Sequence, residues 1–303
     1  MVIGIFKEIY DVMKHIAIVL FFIGALSTGQ KVPVIIDADT GNEVDDLYAL
    51  VRILLEPNIE VTALNAAHWQ TSHWSIDNSM ENSHRLNLQL LGEMGLSVKT
   101  FRGAGARMYD WGDRAQHSAA AYEIIKQAEK QEEVTILALG ALTNLASAVF
   151  IQPKIAPKLK IYWLGTTMDF ESKVLKRNDF NPLMDPFALD YLLDSKVQMH
   201  IIPVNVAAAM KIGFDDMEAK IGTHFLGKHL QKRWIDHVDG ERRSRTLWDL
   251  ALVSVFINPE FAKTEVITTT RDSGNRPITF YKSINAEAIY HDFYKTLLAF
   301  EKE

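Results

Sequence analysis

The sequence predicts an α/β fold: one domain with a mainly parallel sheet, helices on both faces and a Rossmann-like core. Three observations predict it. Apolar runs of strand length alternate with helical patterns along most of the chain, which is how crossover units build a parallel sheet. No Pro/Gly/Ser-rich linker, repeat or low-complexity tract divides the 303 residues. A hydrophobic share of 48% beside 23% charged residues lets such a chain bury a sizeable core.

The elements follow in order. Val32 to Asp37 reads as a strand, and Leu47, Leu50, Val51 and Leu54 form the buried stripe of the next helix. Val61 to Ala67 is a second strand, and Ser79 to Leu91 and Ser118 to Lys130 are helical. Val134 to Leu139 is a buried strand, Asn144 to Phe150 a helix, Lys160 to Leu164 a strand, and Pro186 to Leu193 a helix. Met199 to Val206 reads as a strand, and Asp215 to His237 as one long polar helical stretch. A helix holding Trp248 and Asp249 follows. Val266 to Thr270 and Ile278 to Lys282 form an antiparallel pair around Asp272-Ser273-Gly274-Asn275, and Glu287 to Glu301 closes as an amphipathic helix. In such sheets ligands bind beyond the carboxyl ends of the strands. Asp37, Asp39 and Leu139 all sit at such ends, so they share one crevice.

Ahead of the first strand, Ile16 to Leu26 is apolar, preceded by Lys14 and followed by Ser27-Thr28-Gly29. The run is too short to span a bilayer comfortably and has the layout of a secretory signal. Residues 1–29 are therefore expected to be a signal peptide, with Met13 the more natural start, and residues 30–303 the folded domain. A buried N-terminal helix is the alternative. Export to a periplasm or to the medium is expected, with no membrane attachment after cleavage. The absence of cysteine excludes a disulfide scaffold and a lipid-modified cysteine. A formal net charge of −6 argues against a nucleic-acid partner, which needs a basic patch, and suits a small neutral substrate.

The segment that carries chemistry is Val34-Ile35-Ile36-Asp37-Ala38-Asp39-Thr40-Gly41-Asn42-Glu43-Val44-Asp45-Asp46. Carboxylates this close resist desolvation unless a cation or protons neutralise them. A strand ending in Asp-x-Asp, a glycine-containing turn and an Asp-Asp pair opening a helix read as a hard-metal site, for calcium or magnesium rather than zinc. The bland alternative is a solvated acidic loop with capping aspartates. An EF-hand starting at Asp37 fails, because its sixth and twelfth positions are Asn42 and Tyr48. In a haloacid dehalogenase-type phosphatase Asp37 would be the nucleophile and Asp39 the acid/base, but Gly41 stands where that family has Thr or Val.

The same segment resembles the N-terminal signature of the inosine/uridine-preferring nucleoside hydrolase family, and the resemblance continues at spaced points. Val134 to Ala146, with Gly140-Ala141-Leu142-Thr143-Asn144, resembles its strand, Gly-Pro-Leu-Thr-Asn turn and helix, and Ile161 to Gly165 its next strand. Asn178-Asp179-Phe180-Asn181 and Asp185-Pro186-Phe187-Ala188 resemble its Glu-Phe-Asn and Asp-Pro-x-Ala segments. Trp248-Asp249-Leu250-Ala251 sits where the family has His-Asp-Pro-Leu-Ala. The fragments cover roughly residues 33 to 260 in the right order.

That resemblance implies calcium-dependent hydrolysis of the N-glycosidic bond of ribonucleosides, giving ribose and free base. It implies a small-molecule nucleoside or riboside as partner and a homodimer or homotetramer. Asp39 would be a metal ligand that also takes the proton of the attacking water. Asp46 and Asp249 would be further carboxylate ligands and Leu139 a carbonyl ligand, with Asp45 on the ribose hydroxyls. Asp37 would order the loop through backbone N–H groups. Asn178, Asp179 and Asn181 would meet the ribose 5′ and 3′ hydroxyls, against the reading of a turn rich in Asn and Asp; His68, with His73 nearby, would be a sugar contact or, equally, a loop histidine bonded to backbone. Thr143 and Asn144 read as helix-capping residues.

Two departures from the family pattern matter. Five residues separate Asp39 from Asp45 where three are usual, which keeps Glu43 as a reserve ligand. Trp248 stands where many members have a proton-donating histidine; its indole can stack on a base but cannot protonate it. His237, beside Arg242, Arg243 and Arg245, is the candidate replacement contact to the base, against the reading of a solvated charged face. Besides the phosphatase, a calcium-containing nucleoside- or sugar-binding homologue without turnover stays open.

Overall fold

Val34 and Ile36 of strand β1 (Val32–Ala38) enter one apolar cluster and Ile35 enters another. That two-residue alternation, with both faces buried, marks a central strand covered on each side. The computed structural model describes residues 31–70, 75–108, 114–270 and 275–302. The expected signal segment, His73 and all but Asn275 of the late turn lie outside them. Among the described residues no helix is long and apolar enough to cross a membrane.

The eight-stranded sheet uses β1, β2 (Ile59–Ala66), β3 (Thr100–Arg102), β4 (Val134–Ala138), β5 (Leu159–Leu164), β8 (Gln198–Ile202), β11 (Ala262–Thr268) and β12 (Pro277–Ile284). Their order is β11-β12-β8-β5-β4-β1-β2-β3. β1 with β4, β4 with β5, β5 with β8, β8 with β12 and β2 with β3 pair in parallel, while β11 runs antiparallel to β12. Two antiparallel pairs lie outside this sheet: β6 (Thr167–Asp169) with β7 (Val174–Lys176), and β9 (Lys211–Gly213) with β10 (Ser244–Thr246).

Helices Asp45–Leu54, Ser79–Met94, Trp248–Ile257 and Ala286–Leu298 cover one face. Helices Ala119–Lys130, Thr143–Ile151 and Pro186–Asp194 cover the other. The chain first builds outward from β1 through β2 to β3, then returns to place β4 on the opposite side of β1. The reversal creates a crevice above the ends of β1 and β4, where doubly wound sheets bind ligands.

Two expectations need correction. The strand read as Met199 to Val206 stops at Ile202: Pro203 caps a short helix, Val204–Ala207, because proline cannot extend the ladder. The stretch from Asp215 to His237 is two helices, Phe214–Ile221 and Phe225–Ile235. They part at Gly222, where a Cβ would lie 2.6 Å from the Glu218 carbonyl.

Candidate functional site

The pairing of β1 with β4 sets Asp37 opposite Ala138, and the Leu139 N–H donates to the Asp37 carbonyl at 2.8 Å. Asp39, just past β1, therefore meets Gly140, just past β4. A Cβ on Gly140 would lie 2.6 Å from Asp39 Cγ and Oδ1, so the carboxyl sits there only because residue 140 is glycine. The turn that follows is tied back to helix Ser79–Met94. Thr40 Oγ1 donates to Asn87 Oδ1 at 2.6 Å, and the Gly41 N–H donates to Ser83 Oγ at 3.4 Å.

Helix Asp45–Leu54 packs against helix Trp248–Ile257, with Asp45, Asp46 and Asp249 in their first turns. Neither N-cap residue, Val44 or Leu247, supplies a capping side chain. Instead Asp45 Oδ2 accepts the Asp249 backbone N–H at 3.0 Å, so one helix caps the other. The partial positive charge at each helix start favours carboxylates there. Asp45, Asp46 and Asp249 each bring an oxygen within 4.8 Å of the others, and all three are buried.

Burial, followed by repulsion from Asp45, raises the Asp39 pKa from its ordinary 3.8 to about 8. Burial and mutual repulsion hold Asp46 and Asp249 well above the usual range, and burial raises Asp45. Asp39 Oδ2, Asp46 Oδ1 and Asp249 Oδ1 have no hydrogen-bond partner among the described residues. Buried carboxylate oxygens left bare are costly unless protons or a cation meet them. These orphaned oxygens fit a hard metal ion, and an all-oxygen donor set suits calcium or magnesium over zinc.

A cavity of about 120 Å³ opens beside the cluster. Asp39, Asp45, Asp46, Asp249 and Leu139 line it, as do Asp179, Asn181 and Trp248, with Asn42 and Glu43 from the long turn. Phe180, Leu164 and Val204 supply apolar wall; Phe180 and Leu164 lie in segments that carried the resemblance but were given no role there, and Val204 lies in the stretch read as strand. Trp248 is half-buried at the first position of its helix. Asp179 caps helix Phe180–Met184, accepting the Asn181 N–H at 3.3 Å, and burial raises its pKa to about 6. Asn181 Nδ2 donates to the Leu139 carbonyl at 2.6 Å and to the Leu164 carbonyl at 2.9 Å, which clamps the ends of β4 and β5 together. The Leu139 oxygen keeps its second lone pair.

Asp37, expected in the crevice, is not among the residues lining the cavity, and neither are three residues read from the sequence as substrate contacts. Asn178 is exposed. His68 is buried, with Nε2 2.9 Å from Thr143 Oγ1, which itself donates to Asp185 at 2.6 Å. Burial lowers the His68 pKa to about 4. His237 is buried with Nδ1 2.5 Å from Asp239 Oδ1, and its pKa is lowered, burial outweighing the attraction of Asp239.

Other polar groups act differently from their sequence reading. Thr143 and Asn144 do not cap their helix. Asn144 Nδ2 instead donates to Asp37 Oδ2 at 2.9 Å and to the Ala66 carbonyl at 3.2 Å, while its Oδ1 accepts the Ala104 N–H at 2.8 Å. The partner that orders Asp37 is thus a side-chain amide rather than backbone N–H groups, and burial raises Asp37 to about 7. Arg245 is buried and bound by both oxygens of Asp239 at 2.7 and 3.0 Å, with Arg242 also on Asp239. Burial works against the Asp239 carboxylate, but bonds from Arg245 and His237 keep its pKa below the usual range. Glu43 feels both Asp45 and this arginine pair; burial first, then Asp45, raises it to about 8, against the pull of Arg245 and Arg242.

The profile of a family described as inosine-uridine preferring nucleoside hydrolase matches residues 34–289. The chain is 28% identical over 226 residues to Uridine nucleosidase 1 of Arabidopsis thaliana, covering 66% of this chain and 64% of that protein. It is 25% identical over 228 residues to Probable uridine nucleosidase 2 of Oryza sativa subsp. japonica, covering 67% and 66%. It thus spans just under two thirds of the length of these relatives. The fold resembles the solved structure titled Inosine-Guanosine Nucleoside Hydrolase (IG-NH), with TM-score 0.65 and 19% identity over 89% of this chain and 99% of that one.

Proposed function

Because this chain belongs to the inosine-uridine preferring nucleoside hydrolase family, we propose that it hydrolyses the N-glycosidic bond of ribonucleosides to ribose and free base, with calcium bound. The observation that carries the reading is the convergence of Asp39, Asp46 and Asp249 at the β1/β4 crevice, each with a bare buried oxygen. Those three carboxylates and the free lone pair of the Leu139 carbonyl would hold the ion. When bound, it would gather a water and two ribose hydroxyls and lower the pKa of that water.

The remaining roles fall to the chain itself. Asp39, ionised once a cation offsets its neighbours, takes the proton of the attacking water. Asp45, held by the Asp249 N–H through one oxygen, presents the other to the ribose hydroxyls. Asn181, with Nδ2 committed to two carbonyls, turns Oδ1 to the sugar, and Asp179 lies beside it. Trp248 stacks on the base. The cavity is small beside the roughly 300–1,000 Å³ of drug-sized ligand sites, so it holds the pentose while the base extends toward the mouth.

The phosphatase reading is set aside by the family match, and no lysine is among the described lining residues. Nucleoside binding without turnover is the second reading, favoured by Trp248 at the leaving-group position. An assay of ribose release from uridine, inosine and cytidine, with and without chelator, separates the two: binding without free base supports the second.

A further inference from the structure

We propose that the preferred substrates carry no hydroxyl on C5′: they are 5′-deoxyribonucleosides, with a methyl group where ribonucleosides have a hydroxymethyl, and the sugar released from them is 5-deoxyribose. The inference rests on the nucleoside hydrolase reading and narrows its substrate class.

The order of strands decides which end of the sugar meets which residues. Asp39, which takes the proton of the attacking water, follows β1, so C1′ faces that side. The hydroxyls on C2′ and C3′ are the adjacent pair on the ring, and they go to the cation at the ends of β1 and β4. C4′, which bears C5′, lies across the ring from C1′ and therefore faces away from β1. In that direction stand Leu164 at the end of β5 and Val204 just after β8. They are one and two strand spacings of about 4.8 Å beyond β4. Both line the cavity.

That wall is apolar and held in place. Leu164 belongs to the buried core, and Val204 is half-buried at the start of its short helix. Thr166 forms the corner between them. Its carbonyl accepts the Val204 N–H at 2.9 Å, and its own N–H donates to the Asp179 carboxyl. Thr166 has a φ of +70°, uncommon for a β-branched residue, and such a conformation persists only where the surroundings over-determine it. Asp179 is the acid bordering this wall, and its oxygens are engaged. They accept the N–H groups of Phe180 and Asn181 at the start of their own helix, besides that of Thr166. A side chain with a single methylene, folded onto the main chain, has little reach left for a hydroxyl on C5′. Asn181, clamped by Nδ2 between the ends of β4 and β5, serves the C3′ side of the ring. A C5′ hydroxyl here gives up water without gaining a side-chain partner, and a methyl group does not incur that loss.

The test compares 5′-deoxyuridine with uridine and 5′-deoxyinosine with inosine, on the full chain supplied with calcium, by release of free base. Each rate is divided by the spontaneous hydrolysis rate of the same compound. Corrected kcat/KM should favour the 5′-deoxy member of each pair by about tenfold, since an apolar pocket discriminates only modestly against an added hydroxyl. A site that bonds the hydroxyl would instead reject the 5′-deoxy compound by roughly 10⁴-fold or more. Val204→Thr puts a hydroxyl on the wall, and Asp179→Glu lengthens the acid. Each should move the ratio toward the hydroxylated member by about tenfold, mainly through KM. Equal corrected rates within the pairs, or a preference for uridine and inosine, would overturn the proposal while leaving the hydrolase reading standing. A ratio untouched by both variants would overturn the part given to this wall. No free base from any of the four compounds would overturn both readings.

Discussion

Asp45 Oδ2 accepts the backbone N–H of Asp249 at 3.0 Å, joining residues 204 positions apart. This bond locks the starts of two packed helices together, so that Asp46 and Asp249 converge from separate parts of the chain. The candidate metal site is therefore a product of helix packing more than of the acidic loop alone. It follows that a change at Asp45 should disturb the seam between the helices, whereas a change of the Asp249 side chain should act on cation binding and leave that bond in place.

Cation affinity should depend on the two converging carboxylates. Asp249→Asn, which keeps the backbone N–H and the shape, is expected to weaken calcium binding by more than about tenfold, as losing one charged ligand implies. Isothermal titration of the metal-free protein measures it. Unchanged affinity would remove Asp249 from the ligand set.

Asp39→Asn should reduce ribose release by roughly 10²–10⁴-fold, the usual contribution of a general base, with the fold kept. Parental rates in this variant would place the proton acceptor elsewhere in the turn, with Glu43 the first candidate.

Gly140→Ala tests the contact that seats Asp39. The added methyl would lie 2.6 Å from the carboxyl, so either Asp39 moves or the strand ends do. Overpacking of this kind costs about 1–3 kcal/mol. Activity should fall further than stability, because displacement of the carboxyl harms the chemistry first. A variant as active as the parent would show that the carboxyl need not sit there.

The metal-free protein should lose stability as pH rises from about 4 to about 8. Asp39 has an ordinary pKa of 3.8, raised to about 8 in the fold by burial. Within that window the folded state therefore holds more protons than the unfolded one, and stability falls with increasing pH. Asp46, Asp249 and Asp45 shift in the same direction. Calcium should therefore raise Tm more at pH 8 than at pH 5, where it must displace protons. An equal rise at both pH values would mean that the carboxylates are already ionised without metal.

Much of the fold could be read from the sequence, because local pattern and tertiary role agree there. The apolar run Val34 to Ile36 before Asp37, the Ser118 cap of helix Ala119–Lys130 and the helix starting at Trp248 are all of this kind. The placement of polar side chains could not be read the same way. Arg245 sits in a charged stretch that reads as solvent-facing, yet it is buried because Asp239 neutralises it and Trp234 packs under it. Asn144 looks like a capping residue in sequence, but the side chain reaches Asp37, the end of β2 at Ala66 and the loop after β3 at Ala104, which the sheet brings near one another. For His68 and His237 the side-chain type was informative and its direction was not, since direction depends on Thr143 and Asp239.

The measurement that tests the central claim most directly is ribose and free-base release from a nucleoside panel by the full chain, before and after chelation. The account predicts equal amounts of ribose and base, loss of the reaction on chelation, and recovery when calcium is restored. Undiminished release after complete removal of divalent cations would contradict the role given to the Asp39, Asp46 and Asp249 cluster. Nucleoside binding with no release under any metal would contradict the hydrolase itself.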